Sequence, residues 1–175
     1  IARRRLAFEE LFFFAIGLKL LRSRRETVSV EPFQPVDMAP FYNALPFTLT
    51  DAQRRCVEEA IADMQSGKPM NRLCQGDVGS GKTMVAAACV YFCIKNGHQA
   101  ALMAPTELLA EQHYRGLAPL LERLNIRCAL LTGSTPAKTK RSVTAQLATG
   151  EIDFAIGTHA LISPQVEFRR LALIV

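Results

Sequence analysis

The chain has 175 residues, a formal net charge of +5 and 49% hydrophobic residues. This length allows one sizeable core, and this composition excludes a disordered protein. No apolar run is long enough to span a membrane, and the five cysteines form no regular disulfide framework, so we expect a cytoplasmic protein with reduced thiols and no membrane contact.

The first 46 residues are predicted to form a basic helix and a proline-rich linker. Apolar residues recur at helical spacing between residues 3 and 25, and they cover most of the helix, which predicts a large packing partner. Residues 1–26 carry seven Arg or Lys against three Glu. This charge can meet nucleic acid phosphates, or it can be the solvated rim of a helix. Residues 27–47 contain four prolines and no clear periodicity, which predicts an extended connector.

A second helix is predicted from Thr50 to about Gln65. Thr50 and Gln53 have the spacing of a capping box, in which each side chain bonds the backbone amide of the other residue. The glycine and proline of residues 66–69 are typical of a helix end.

The pattern G-x-x-x-x-G-K-[ST] of the phosphate-binding P-loop is formed by Gly76, Asp77, Val78, Gly79, Ser80, Gly81, Lys82 and Thr83. Its glycines let the backbone approach a ligand closely with its amides pointing inward. Lys82 would place a charge on the β- and γ-phosphates of ATP, and the Thr83 hydroxyl would ligate Mg²⁺. We therefore predict a nucleotide site, with a helix beginning at Lys82 so that the positive end of its dipole faces the phosphates.

Strands and helices alternate around this loop. Residues 72–75 can close a strand before it, and the apolar residues 84–94 after it are typical of a buried helix. Further strands are predicted at 99–104, 126–131, 152–156 and 171–175, and further helices at 105–123 and from Pro136 at its first position. This alternation predicts an α/β fold whose parallel sheet is covered by helices on both faces.

Three more loops follow predicted strands, at residues 105–106, 132–134 and 157–159. The carboxyl-end loops of a parallel sheet lie on one edge, which is also the edge of the P-loop. Their hydroxyls and free amides can bind phosphates, although each Thr or Ser alone can equally be a helix cap. Three such loops beside a P-loop favour a track for a polyanion.

The motifs at residues 47–53, 75–83, 104–113, 131–134 and 156–161 together resemble the ordered motifs of superfamily 2 helicases. The residues of these motifs are most similar to those of the bacterial helicases that act on branched DNA, and transcription-repair coupling factors are near relatives with the same motif order. The resemblance covers about residues 45–175 and implies a RecA-like P-loop lobe over residues 47–175. It further implies an ATP-dependent DNA helicase of the bacterial cytoplasm, associated with the nucleoid, that remodels stalled forks and recombination intermediates.

The resemblance also implies residue roles. Gln53 would read the adenine edge and Phe47 would stack near the base, although the capping box competes for the Gln53 side chain. The backbone of a tracked DNA single strand would be held by Pro105, Thr106, Gly133, Thr158 and His159.

In the family an acidic Walker B motif follows a strand like residues 171–175, and the sequence stops there. We therefore expect the first part of a motor lobe, inactive alone, whose second lobe and DNA-binding wedge domain lie elsewhere. Two other classes stay open: a P-loop kinase acting on a small molecule, and a module that binds nucleotide without turnover.

Overall fold

The computed structural model describes residues 2–26 and 29–175. The helices of the described residues are α1 (Ala2–Glu26), α2 (Ala39–Ala44), α3 (Asp51–Gln65), α4 (Lys82–Lys95), α5 (Glu107–Glu122) and α6 (Ala137–Thr149). The strands are β1 (Gln99–Met103), β2 (Cys128–Leu131), β3 (Phe154–Gly157) and β4 (Leu171–Ile174), and a 3-10 helix, His159–Ile162, follows β3.

The four strands form one sheet in the order β2-β3-β1-β4. Every neighbouring pair is parallel, with Ala101 of β1 opposite Ala155 of β3 and Ala129 of β2 opposite the same residue. Each connection between parallel strands has to cross back along the sheet, and α5, α6 and the segment after the 3-10 helix do this. The predicted parallel α/β fold is confirmed.

Helices cover both faces of this sheet. Phe154 and Ile156 of β3 pack with α3, α4 and α5 in the larger core, whereas Ala155 packs with Val143 and Leu147 of α6 in a second core. The two cores separate because successive strand side chains point to opposite faces. On the first face α4 is buried along most of its length, as its alanine-rich sequence predicts.

The segment before the P-loop is not a strand, and the prediction of a strand end at 72–75 is wrong in this structure. A cavity of about 740 Å³ is lined both by these residues and by the end of β4. A β-ladder needs two backbones about 4.8 Å apart, and residues 72–75 are not part of the sheet β2-β3-β1-β4. Arg72 is instead bound to α3, where its guanidinium lies 2.6 Å from Glu59 and 2.8 Å from Asp63.

The predicted connector packs onto the sheet domain. Residues 29–38 have no regular structure, and the amide of Phe33 donates to the Met64 carbonyl of α3 at 3.2 Å. Phe41 of the short helix α2 is fully buried in the larger core. The proline-rich composition did not predict α2, which tolerates Pro40 because a residue in the first helical turn needs no intrahelical N–H bond.

The predicted N-terminal helix is present as α1. The large apolar side chains described on it are exposed: Phe8, Leu11, Phe12, Phe13, Phe14, Ile16 and Leu18. The large partner expected from the sequence is therefore not among the contacts of these side chains. Within the described residues no helix combines the length and apolarity that crossing a bilayer requires.

Candidate functional site

The P-loop turns at two glycines before α4. Gly79 and Gly81 have φ values of +82° and +78°, a left-handed conformation that side chains with a Cβ rarely adopt. Gly81 is the N-cap residue of α4, so the helix begins at Lys82 as predicted. The first amides of α4 have no carbonyl partners within the helix, and they point into the loop with the positive end of the dipole.

Lys82 folds back over this loop. Its ammonium donates to the carbonyl oxygens of Gly76 at 2.7 Å and Asp77 at 2.6 Å, and it lies 3.5 Å from the Ser80 hydroxyl. These partners are uncharged oxygens, so the ammonium charge is not neutralised by them. A phosphate could therefore take the place of one carbonyl with a gain in charge-assisted bonding.

Gln53 joins the start of α3 to the P-loop. Its side-chain Oε1 accepts from the Thr50 backbone amide at 2.9 Å, and its backbone amide donates to the Thr50 hydroxyl at 3.3 Å. The predicted capping box is therefore confirmed. Its Nε2 donates to the Ser80 carbonyl at 2.8 Å. A Cβ at Gly81 would collide with this Nε2, which is a second reason for glycine there. The capping box thus leaves the Gln53 side chain in contact with the loop.

Phe47 lies in the segment between α2 and α3. Its side chain is about half exposed and lines an open groove with Tyr42, Leu45 and Arg54. Arg54 of α3 lines this groove, whereas the Gln53 side chain is turned to the P-loop. Sequence patterns did not single out Tyr42 or Arg54, because neither belongs to a recognisable motif.

Thr83 is half buried in the first turn of α4 and lines the cavity between the P-loop and β4 together with Lys82 and Cys89. Burial raises the pKa of the Cys89 thiol to about 11, so this group stays neutral. The described residues contain no group of three or more His, Cys, Asp or Glu that could hold a metal ion.

The loops after β1 and β3 lie at the same end of the sheet as the start of α4. After β1, Pro105 is exposed and the Thr106 hydroxyl accepts from the Leu109 amide at 3.3 Å, which caps α5. After β3, Thr158 is buried while His159 is exposed. The predicted track residues are therefore brought together at one edge, but their exposure differs.

Gly157 fixes how closely two of these loops approach each other. A Cβ at this position would collide with the Leu131 carbonyl at the end of β2, so only glycine fits. The Thr158 amide then donates to the same carbonyl at 3.2 Å.

The loop after β2 is closed by a carboxylate from α5. The amide and hydroxyl of Ser134 donate to the two carboxylate oxygens of Glu107, at 2.9 and 2.6 Å. These hydrogen bonds from Ser134 lower the pKa of the Glu107 carboxyl. Sequence analysis identified Gly133 but missed Glu107, whose only signal was its position directly after the predicted cap residue Thr106.

Comparison of the sequence with known protein families shows which family the chain belongs to. The sequence profile of the family described as DEAD/DEAH box helicase matches residues 50–175, which include the P-loop and all three strand-end loops. The chain belongs to the DEAD/DEAH box helicase family. The resemblance to superfamily 2 helicases is therefore confirmed, and the family implies that the domain uses ATP.

Individual curated proteins are similar to this chain over its whole length. The chain is 46% identical over 178 residues to the ATP-dependent DNA helicase RecG of Bacillus subtilis, covering all of this chain and 26% of that protein. It is 44% identical over 176 residues to RecG of Thermotoga maritima, covering 99% of this chain and 23% of that protein. The chain thus spans about a quarter of the length of these curated relatives.

A solved structure agrees with the sequence comparison. The chain matches one described as "Structure of RecG bound to three-way DNA junction" with a TM-score of 0.90 and 44% identity, covering 99% of this chain and 24% of that one. The predicted lobe architecture of this DEAD/DEAH box helicase domain is therefore confirmed, with α1 and the connector included in the match.

Replacing Gly81 by Ala should destabilise the domain, since the left-handed conformation costs a residue with a Cβ about 1–2 kcal/mol and the Gln53 amide would have to move. The matched control is Gly116→Ala, at an exposed position within α5 with open space around it, where the change should add about 0.5–1 kcal/mol. Urea titration measures both free energies of unfolding. Equal values for the two variants would contradict the described P-loop conformation.

Proposed function

We propose that the chain is the nucleotide-binding first part of a RecA-like motor lobe in an ATP-dependent DNA helicase that acts on branched DNA. The observation that carries this proposal is the P-loop at the start of α4, with a lysine whose described partners are uncharged oxygens. The names of the curated relatives and the three-way junction in the matched structure support DNA as the polymer.

The P-loop would hold the phosphates of ATP. The space around Gly79 is open, and the backbone of the loop, including Asp77 and Val78, would supply amide donors to an anion. The Ser80 amide donates to the Asp77 carbonyl at 3.2 Å and would exchange this bond for one to a phosphate. Lys82 would release the loop carbonyls and bind the β- and γ-phosphates. The half-buried Thr83 hydroxyl suits an oxygen-seeking cation and would ligate Mg²⁺, which when bound would neutralise charge on the phosphates.

Gln53 and Phe47 would bind the base. The side-chain amide of Gln53 has one donor and one acceptor group, which can pair with the donor and acceptor on the edge of adenine. Both groups are used within the protein, by Ser80 and Thr50, so base binding would exchange at least one of these bonds. The exposed ring of Phe47, in the open groove before α3, can stack on the base.

The strand-end loops would hold the DNA backbone. Hydroxyls and backbone amides bind phosphates without reading sequence, which suits a motor that tracks along a strand. The proposed contacts are Pro105, Thr106, Gly133, Thr158 and His159. Exposure supports Pro105, Gly133 and His159, whereas the buried Thr158 would contribute mainly by fixing the loop.

We divide the chain into an N-terminal helix with its linker, residues 1–46, and the lobe from residue 47 onward. The family match beginning at residue 50 supports this division. The relatives are about four times longer than the span they share with this chain, which supports a working enzyme with a second RecA-like lobe and a wedge domain. Because the curated relatives are bacterial, we place this enzyme in the bacterial cytoplasm, at the nucleoid.

Replacing Lys82 by Ala in the complete protein should lower ATP affinity at least tenfold, because charge-assisted bonds worth about 1.5–3 kcal/mol are lost. Isothermal titration calorimetry with Mg²⁺ and ATP measures the change. Lys95→Ala, at the opposite end of α4, is the control and should leave the affinity unchanged. Equal ATP affinity for Lys82→Ala and the parent protein would refute the nucleotide site.

Replacing Gln53 by Ala should reduce the preference of the complete protein for ATP over GTP. The control is Thr50→Ala, which removes the capping hydroxyl but keeps the Gln53 side chain. Both changes should cost about 1 kcal/mol of stability by weakening the cap. Competition between labelled ATP and unlabelled GTP measures the preference. If it is lost equally in both variants, or in neither, Gln53 acts as a cap and does not read the base.

A further inference from the structure

The Glu107 carboxylate is bound in the way that a phosphate would be bound. Two donors of Ser134, the amide at 2.9 Å and the hydroxyl at 2.6 Å, meet its two oxygens. A side chain at Gly133 would crowd the same carboxylate, with its Cβ 2.9 Å from Oε1. Hydrogen bonds from a backbone amide and a hydroxyl to an anion are also the usual contacts of proteins with a nucleic acid backbone.

The loop that carries these donors is exposed, and its own hydrogen bonds fix its conformation. Gly133 and Ser134 lie at the surface. Below them, the Thr132 amide donates to the Thr135 hydroxyl at 2.9 Å, and the hydroxyls of Thr132 and Ser134 lie 3.1 Å apart. The loop therefore keeps its donors pointing outward, toward whichever anion occupies the position.

Glu107 reaches this loop across the edge of the sheet. It is the first residue of α5, after β1, whereas Ser134 follows β2, and β3 lies between these two strands. The bonds between Glu107 and Ser134 therefore cross the end of β3, where Thr158 and His159 stand. The carboxylate lies in the middle of the proposed DNA track.

Two anions cannot share these donors. A phosphate that approached the Ser134 amide and hydroxyl would meet a carboxylate that already accepts from both, and like charges at this distance repel in water. Glu107 is partly buried at the first position of α5 and belongs to neither core. Its side-chain bonds are rotatable, so it can swing away without disturbing the packing of the cores.

We propose that Glu107 is a built-in competitor for backbone phosphate at the Ser134 donors, so that DNA binds this loop only by displacing the carboxylate. The inference rests on the proposed function, since it assumes that this loop belongs to a DNA track. Its consequence is that a negative side chain lowers the affinity of the motor for a strand at one step of the track, which favours release and onward movement.

Glu107→Gln tests the competition directly. The glutamine keeps the size of the side chain but carries no charge, and it can offer Ser134 only one acceptor oxygen. The complete protein with this change should bind a fluorescein-labelled oligo(dT) strand about 3- to 10-fold more tightly in fluorescence anisotropy, the size expected from removing one unit charge near a phosphate in water. ATP affinity should be unchanged.

The matched control is Glu122→Gln. Glu122 is exposed at the last position of α5, so the variant removes the same charge from the same helix at its far end. A helix of 16 residues is about 24 Å long, which exceeds the screening length in physiological salt. The affinity of this variant for the strand should match that of the parent protein.

Glu107→Asp is a second variant that tests the proposal even if Glu107→Gln fails to fold. The aspartate keeps the charge but is one methylene shorter, so it cannot reach both Ser134 donors, and its affinity should lie between those of the parent and Glu107→Gln. If the parent binds the strand and Glu107→Gln binds it equally or more weakly, the carboxylate positions the loop for DNA and the competition is refuted. If neither the parent nor the variants bind the strand, the proposed function fails, and the inference fails with it.

Discussion

The parallel pairing of β2, β3 and β1 is the constraint on which the other features depend. Parallel strands end at the same edge, so the loops that follow them are brought together regardless of their distance along the chain. Gly157 makes this edge compact, because a side chain there would collide with the Leu131 carbonyl. As a result, loops from three separate motifs lie at one edge of the sheet: those that contain Thr106, Ser134 and Thr158.

Each of the two proposed ligand sites is joined internally by one side chain that makes short polar contacts. Gln53 connects the cap of α3 to Ser80 of the P-loop, so a change at the base would reach the phosphate loop through one side chain. Glu107 connects the loop after β1 to the loop after β2 in the same manner. Both bridges use side chains near the start of a helix, where backbone amides lack partners and polar groups are already concentrated.

The sequence predicted the parts of the structure that depend on local patterns. The P-loop, the capping box at Thr50 and most strands follow from spacing and periodicity within a few residues. It did not predict that residues 72–75 lie outside the sheet, because strand formation depends on a partner backbone and not on composition. Nor did it predict the contact between Glu107 and Ser134, which are 27 positions apart and meet only because their strands are parallel.

Hydrogen–deuterium exchange of the complete protein tests most directly whether one edge of the sheet holds both ligands. With ATP and Mg²⁺, exchange should slow at the amides of residues 76–83. With a single-stranded oligonucleotide it should slow at residues 133–134 and 158–159, while the opposite edge, including the turn at Asn96 and Gly97, should be unchanged. Bound ligands that protect the opposite edge and leave these loops unprotected would contradict the account.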